Sequence, residues 1–319
     1  DRGSVRLVHP EAAADLRRGD EVLAIDGRPL PAILDAVRPL LSVDGWTDRT
    51  KDVELGWSTE MLGGGLDHFG PLLRGWAGPE RRVRIRRAKG GATEEIVVPG
   101  ITLRQARALA SDSAHGSGDF EDSVAFRMLG PTTGLLEIGT FINYRTDADP
   151  VAVLGPHFRR LAEADADHLI IDLRSCGGGS DEVPATLLSY LIDEPRIPGG
   201  RLNAVRTVDF GPLRPHLRTW DPAVFEIPAG MLPPTGDGFL AIPAELDPTP
   251  VTPIAPRPID AGRFTGRVTV LIGPANASGA TSFLALLRAH RPNVRYVGEP
   301  TGGNAEGPTA GIIAFLDLP

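Results

Sequence analysis

Cysteine occurs once in the 319 residues, at Cys176, so no internal disulfide can form and no disulfide framework exists from which to read a redox compartment. Lysine is nearly missing: Lys51 and Lys89 are the only two, and the remaining 31 of the 33 basic residues are arginine. No apolar run reaches the ~18–20 residues of a membrane span. Positive charge is not in excess either. The formal net charge is −8, which argues against nucleic acid or an anionic membrane surface as main partner. The densest basic stretch is Arg81-Arg82-Val83-Arg84-Ile85-Arg86-Arg87. Val83 and Ile85 point one way there and the arginines the other, so a half-buried strand explains it, with a phosphate-binding patch as the alternative. No secretory leader and no internal repeat is evident. Asp1-Arg2-Gly3 and Phe315-Leu316-Asp317-Leu318-Pro319 both sit against strand patterns, so sequence beyond both ends is expected.

The sequence is 41% hydrophobic and 23% charged, ordinary for a globular protein with a sizeable core. Its length exceeds a typical single domain, and two domains are expected. Residues 4–9 alternate like a strand. Leu16-Arg17-Arg18-Gly19-Asp20-Glu21-Val22-Leu23-Ala24-Ile25-Asp26-Gly27 reads as turn, buried strand and turn, and Pro31–Leu41 continues as a short helix. Strands at Val83–Arg87 and Glu95–Val98, joined across Lys89-Gly90-Gly91, close a small β-rich module. The leucine, Gly19-Asp20 and Ile25-Asp26-Gly27 pattern resembles that of a PDZ domain; any small β-barrel with a Gly-Asp turn is the plainer alternative. Residues 43–78, with Trp46, Trp57 and Trp76 among glycines, depart from that pattern as an insertion.

From about residue 101 the texture changes to strand–helix alternation, the mark of an α/β layer. Gly134–Tyr144 reads as a strand, and Val151, Leu154, Phe158 and Leu161 recur at helical spacing. His168–Leu173 is a buried strand before Gly177-Gly178-Gly179 and a helix at about Glu182 to Ile192. Residues 196–262 are proline-rich and aperiodic, the texture of a covering or binding segment. Arg267–Ile272 is again a strand, and Gly279–His290 a helix.

Two strand–turn–helix units, about a hundred residues apart, could carry chemistry. In the second, Val268-Thr269-Val270-Leu271-Ile272 leads through Gly273-Pro274-Ala275-Asn276-Ala277 to Ser278-Gly279-Ala280-Thr281. A serine where a helix begins is presented at a sharp turn, beside unpaired N–H groups able to receive an oxyanion. The plainer reading is that Ser278 only caps the helix. The first unit is Asp172-Leu173-Arg174-Ser175-Cys176-Gly177-Gly178-Gly179, whose glycines can turn N–H groups toward an anion. A dinucleotide fingerprint would need a glycine where Glu182 stands, and no Walker-type Gly-Lys-Ser/Thr is present. Cys176 reads as a small buried residue rather than a nucleophile, having no nearby histidine.

Together the two units resemble the S41 serine peptidases. Asp172-Leu173-Arg174 with its glycines is similar to one signature of that family, Val270-Leu271-Ile272 through Ala277-Ser278-Gly279-Ala280 to its nucleophile segment, and Gly298-Glu299-Pro300-Thr301-Gly302-Gly303 to a third. The resemblance implies a PDZ-like module over residues 1–100 and an α/β catalytic core over 101–319, related to the crotonase and Clp protease folds. It implies acyl transfer through a serine ester, a polypeptide substrate, and neither cofactor nor metal. Ser278 would be the nucleophile, and the N–H groups of Gly279 and Gly178 the oxyanion hole. The habit of bacterial relatives implies an extracytoplasmic location.

Two departures follow. The tail-specific branch uses a lysine base where this sequence has Asn304, and an acidic residue where it has Thr281. The tricorn branch instead takes a histidine from before its PDZ domain, so by analogy the base lies ahead of Asp1. Within the sequence, His115 and Glu306 are the candidates for base or orienter; His168 and His290 read as structural. The alternative function is an inactive peptidase fold that grips chain ends.

Overall fold

A computed structural model of the chain describes residues 118–193 and 262–304 without a break, most of 15–105, and short pieces at 5–6, 196–253 and 315–316. His115 and Glu306 lie outside the described residues.

The N-terminal part is an antiparallel sheet of β1 (Val5–Arg6), β2 (Glu21–Ile25), β3 (Arg28–Pro29), β4 (Glu80–Arg86) and β5 (Thr93–Pro99). Its order is β1-β2-β4-β5, with β3 paired to β2. Helix α1 (Leu30–Val37) begins with Pro31 in its first turn, where the missing N–H is no loss. It packs Leu30 and Ile33 against Val22, Ile25, Val83 and Ile85. The arginine-rich stretch is accordingly a half-buried strand, with Val83 and Ile85 inward. Asp20, only 1% exposed, closes this sheet: Arg17 and Ala88 donate their N–H groups to its carboxylate, and the Arg87 guanidinium lies 2.8 Å from it. Residues 43–78 contribute two short helices, α2 (Arg49–Gly56) and α3 (Gly65–Phe69).

The second sheet is built from β6 (Val124–Met128), β7 (Thr133–Ile138), β8 (His168–Asp172), β9 (Arg267–Ile272) and β10 (Arg295–Gly298). Its order is β10-β9-β8-β7-β6. The strands β7 to β10 run parallel and β6 antiparallel to β7. Each crossover steps to the next strand in the same direction, which places right-handed connections on one face. Helices α4 (Pro150–Glu163), α5 (Glu182–Ser189) and α6 (Ser278–His290) supply them. Asp149 accepts a hydrogen bond from the Val151 N–H and Pro150 follows it, which starts α4. Leu154, Phe158 and Leu161 of α4, Val183 and Leu187 of α5, and Phe283, Leu284 and Leu287 of α6 share one core with Leu136, Leu169, Ile171, Val268 and Val270 of the strands.

Several boundaries differ from the sequence reading. The strand beginning near Gly134 ends at Ile138, because Phe141 leaves the ladder to bridge Gly179. The helix at Glu182 stops at Ser189. The edge strands β6 and β10 are additions that the sequence reading does not contain. Among the described residues no helix is long and apolar enough to cross a membrane.

Candidate active site

In a parallel sheet the loops that leave the carboxyl ends of the strands share one edge, which is where such folds bind ligands. Here three adjacent strands, β8, β9 and β10, deliver to that edge the glycine loop 173–179, the serine turn 273–278 and the turn 299–303. The order of the sheet therefore joins three segments that the sequence keeps far apart.

Ser278 is the first residue of α6, and its backbone is left-handed at φ +47°. For a non-glycine residue this conformation costs on the order of 1–2 kcal/mol and persists only when its surroundings enforce it. The position before it, Ala277, is extended and makes no side-chain cap. Ser278 is half-buried, and its hydroxyl makes no hydrogen bond among the described residues. The surroundings that enforce the turn are glycines. A Cβ placed on Gly178, itself at φ +107°, would lie 2.8 Å from the Gly279 N and 2.9 Å from the Ser278 Cβ. A Cβ on Gly303 would lie 3.0 Å from the Ala277 Cα and 2.5 Å from the Thr281 Oγ1. Only glycine permits both approaches. The structure thus brings Ser278, Gly279 and Gly178 together.

Cys176 is fully buried two residues before Gly178. Burial pushes its thiol up to about 12, and the nearby N–H groups of Gly178 and Phe141 act in the opposite sense. Asp172 accepts a two-pronged contact from Arg174, at 2.9 Å from Nε and 2.6 Å from Nη2. Burial works to raise the Asp172 carboxyl, but Arg174 outweighs it and leaves it below the usual carboxylate range.

Three described histidines lie away from the turn. His168 opens β8 at the far end of the sheet and pairs with the Thr269 hydroxyl at 3.0 Å. His157 stacks on Phe126 with ring centroids 5.2 Å apart, and His290 ends α6, remote from Ser278 at its start. Asn304 follows the close-packed Gly303, so the position of the tail-specific lysine is occupied by a neutral amide. Thr281 is buried, and its Oγ1 has no hydrogen-bond partner among the described residues.

The N-terminal part touches this edge through α2. Arg49 donates to both carboxylate oxygens of Glu299, at 3.0 and 3.1 Å. The Thr50 hydroxyl lies 3.5 Å from the Pro274 carbonyl oxygen. Sequence reasoning missed this contact, because residues 43–78 carry no motif. It also missed Asn276, a fully buried residue whose hydrogen bonds span three loops. The only sequence signal for Asn276 was that asparagine favours turns.

A serine on a tight strand-to-helix turn, packed against a glycine of a neighbouring loop, is the arrangement a serine hydrolase uses to present its nucleophile. The particular family follows from comparison. Residues 132–310 match peptidase family S41, which is more than half of the chain. The chain belongs to peptidase family S41. The fold is similar to that of mature CPAF complexed with lactacystin, with a TM-score of 0.54 and 18% identity over 91% of this chain and 65% of that one. A photosystem II D1 C-terminal processing protease aligns over 95% of this chain and 58% of its own, at 14% identity and a TM-score of 0.35. A putative S41 protease from Bacteroides fragilis aligns over 97% and 62%, at 16% identity and a TM-score of 0.34. The chain thus spans less than two thirds of the length of each of these proteins. No curated protein sequence matches it.

Proposed function

We propose that the chain is a serine peptidase acting on polypeptides through an acyl-enzyme on Ser278. The observation that carries this reading is the left-handed Ser278 at the start of α6, packed directly against Gly178. The Ser278 Oγ attacks the scissile carbonyl carbon, and its proton passes to a general base and then to the leaving amine. Water subsequently hydrolyses the ester, returning a carboxylate and free Ser278. The developing oxyanion takes the N–H groups of Gly279 and Gly178.

The base belongs to none of the described side chains at the turn. A histidine is our reading of it, supplied from ahead of Asp1 or by His115, with Glu306 as its orienter. Residues 1–100 serve as a PDZ-like module that captures chain ends, and 101–319 as the catalytic core. A second reading, an inactive peptidase fold that only binds chain ends, is favoured by the neutral Asn304.

A fluorescent serine-directed phosphonate separates the two, since labelling needs an activated hydroxyl. The peptidase reading expects labelling of the wild-type protein and none of Ser278→Ala. An unlabelled wild type, in a chain that still binds peptides, establishes the binding reading instead.

A further inference from the structure

Past Leu173 the glycine loop leaves the sheet. The bond from the Leu173 N–H to the Leu271 carbonyl, 3.0 Å, is the last between β8 and β9 in that direction. Phe141 holds the loop from the β7 side, its N–H donating to the Gly178 carbonyl at 2.9 Å, but the loop must also be held against the serine turn if Gly178 and Gly279 are to face one point. Asn276 does the holding. Its Nδ2 donates to the Leu173 carbonyl at 2.5 Å and to the Cys176 carbonyl at 2.9 Å, using both of its protons on the first loop. Its Oδ1 accepts the Gly273 N–H at 2.8 Å, within the serine turn. Its backbone carbonyl accepts the N–H groups of both Gly302 and Gly303 at 2.9 Å, on the third loop. The residue is 0% exposed, so these partners act in a low dielectric and no water substitutes for them. Of the short side chains, a carboxamide alone offers two donors and an acceptor on one planar group. Aspartate would aim an oxygen at two carbonyls, and serine could not span both loops.

We propose that Asn276 is a positioning residue for acyl transfer, fixing the Gly178 donor relative to Ser278 by tying the three loops together. The inference rests on Ser278 being the nucleophile. Gly178 follows Cys176, whose carbonyl Asn276 grips, by two residues. Any slackening of that grip is therefore passed on to the oxyanion donor. A misplacement of about 1 Å at such a site costs roughly 10²-fold in rate.

The test compares wild type, Asn276→Asp and Leu287→Ala in the full chain. The readouts are the rate of phosphonate labelling of the folded fraction, resolved into kinact and KI, and its pH dependence. Leu287→Ala, a buried change further along the same helix, controls for lost stability. Asn276→Asp is expected to lower kinact about 100-fold or more at neutral pH with KI little changed. Its rate relative to wild type should rise as the pH falls, because the introduced carboxyl, once protonated, can again donate to one carbonyl. Leu287→Ala should label at the wild-type rate when folded. Should Asn276→Asp fail to fold, Asn276→Ser, which also abandons both carbonyls, is read by the same loss of kinact. A folded Asn276 variant that labels as fast as wild type overturns the inference and leaves the peptidase reading standing. A wild-type protein that does not label overturns the peptidase reading, and this inference with it.

Discussion

Replacing Gly178 by alanine probes the contact between the glycine loop and the serine turn. The new methyl group would meet the Gly279 N at 2.8 Å, the Ala277 carbonyl oxygen at 2.9 Å and the Ser278 Cβ at 2.9 Å. Two of these are backbone atoms and the third is fixed to the backbone, so no side chain can swing aside. The backbone at φ +107° adds about 1–2 kcal/mol for any residue with a Cβ. Overpacking against the serine turn adds about 1–3 kcal/mol. A loss of about 2–5 kcal/mol follows, which at ~2–4 °C per kcal/mol lowers Tm by roughly 4–20 °C. Phosphonate labelling of the protein that remains folded should fall about 10²–10³-fold, the usual effect of losing an oxyanion donor. Gly177→Ala is the matched control. Gly177 is exposed, and a Cβ there would meet only the Ala275 carbonyl oxygen, at 3.7 Å. It should stay within about 0.5 kcal/mol of wild type. Differential scanning calorimetry and labelling kinetics on both variants decide the matter. If Gly178→Ala melts and labels like Gly177→Ala, the proposed arrangement of donor and nucleophile is wrong.

Cys176 should resist alkylation in the native protein. With its thiol raised to about 12 and its side chain fully buried, only about one thiol in 10⁴ is ionised at pH 8. Iodoacetamide should therefore modify it at the rate of unfolding, and rapid native alkylation would contradict the burial. Asp20 makes a prediction about acid. Burial works to raise its carboxyl, but the N–H groups of Ala88 and Arg17 and the Arg87 guanidinium outweigh burial and leave it below the ordinary value. A depressed folded pKa stabilises the fold above the unfolded value of ~3.9 and ceases to do so as pH falls through the folded value. Asp20→Asn should thus be less stable at pH 7 yet lose less stability between about pH 5 and pH 2, as read by Tm against pH.

What could be read from the sequence were the elements whose burial is periodic. Arg267–Ile272 alternates over its first four residues and is an interior strand of the sheet, and Leu154, Phe158 and Leu161 mark the inner face of α4. Strand β10 escaped notice because it is a short edge strand, with Val297 exposed and little burial to impose a pattern. Strand β6 sits at the other edge and alternates only between half-buried and exposed. At the site, residue type and order were enough to single out Ser278 and the glycines beside Asp172. They could not announce that Ser278 is left-handed, since the close approach of Gly178 and Gly303 that accommodates the turn is made across the sheet edge. Nor could they announce Asn276, whose side-chain partners Leu173 and Cys176 are about a hundred residues away. Arg49 reaching Glu299 is the same kind of contact over a still longer separation, 250 residues.

The arrangement of the three loops has a consequence for the chain during its synthesis. A ribosome releases the glycine loop first, the serine turn about a hundred residues later, and Gly302 and Gly303 after that. Until the last segment arrives, the Asn276 carbonyl lacks the N–H groups of Gly302 and Gly303, and β9 lacks its neighbour β10. Long-range pairings of this kind form late, because loop closure must precede them. The nascent protein therefore carries Ser278 before the three loops around it can be joined.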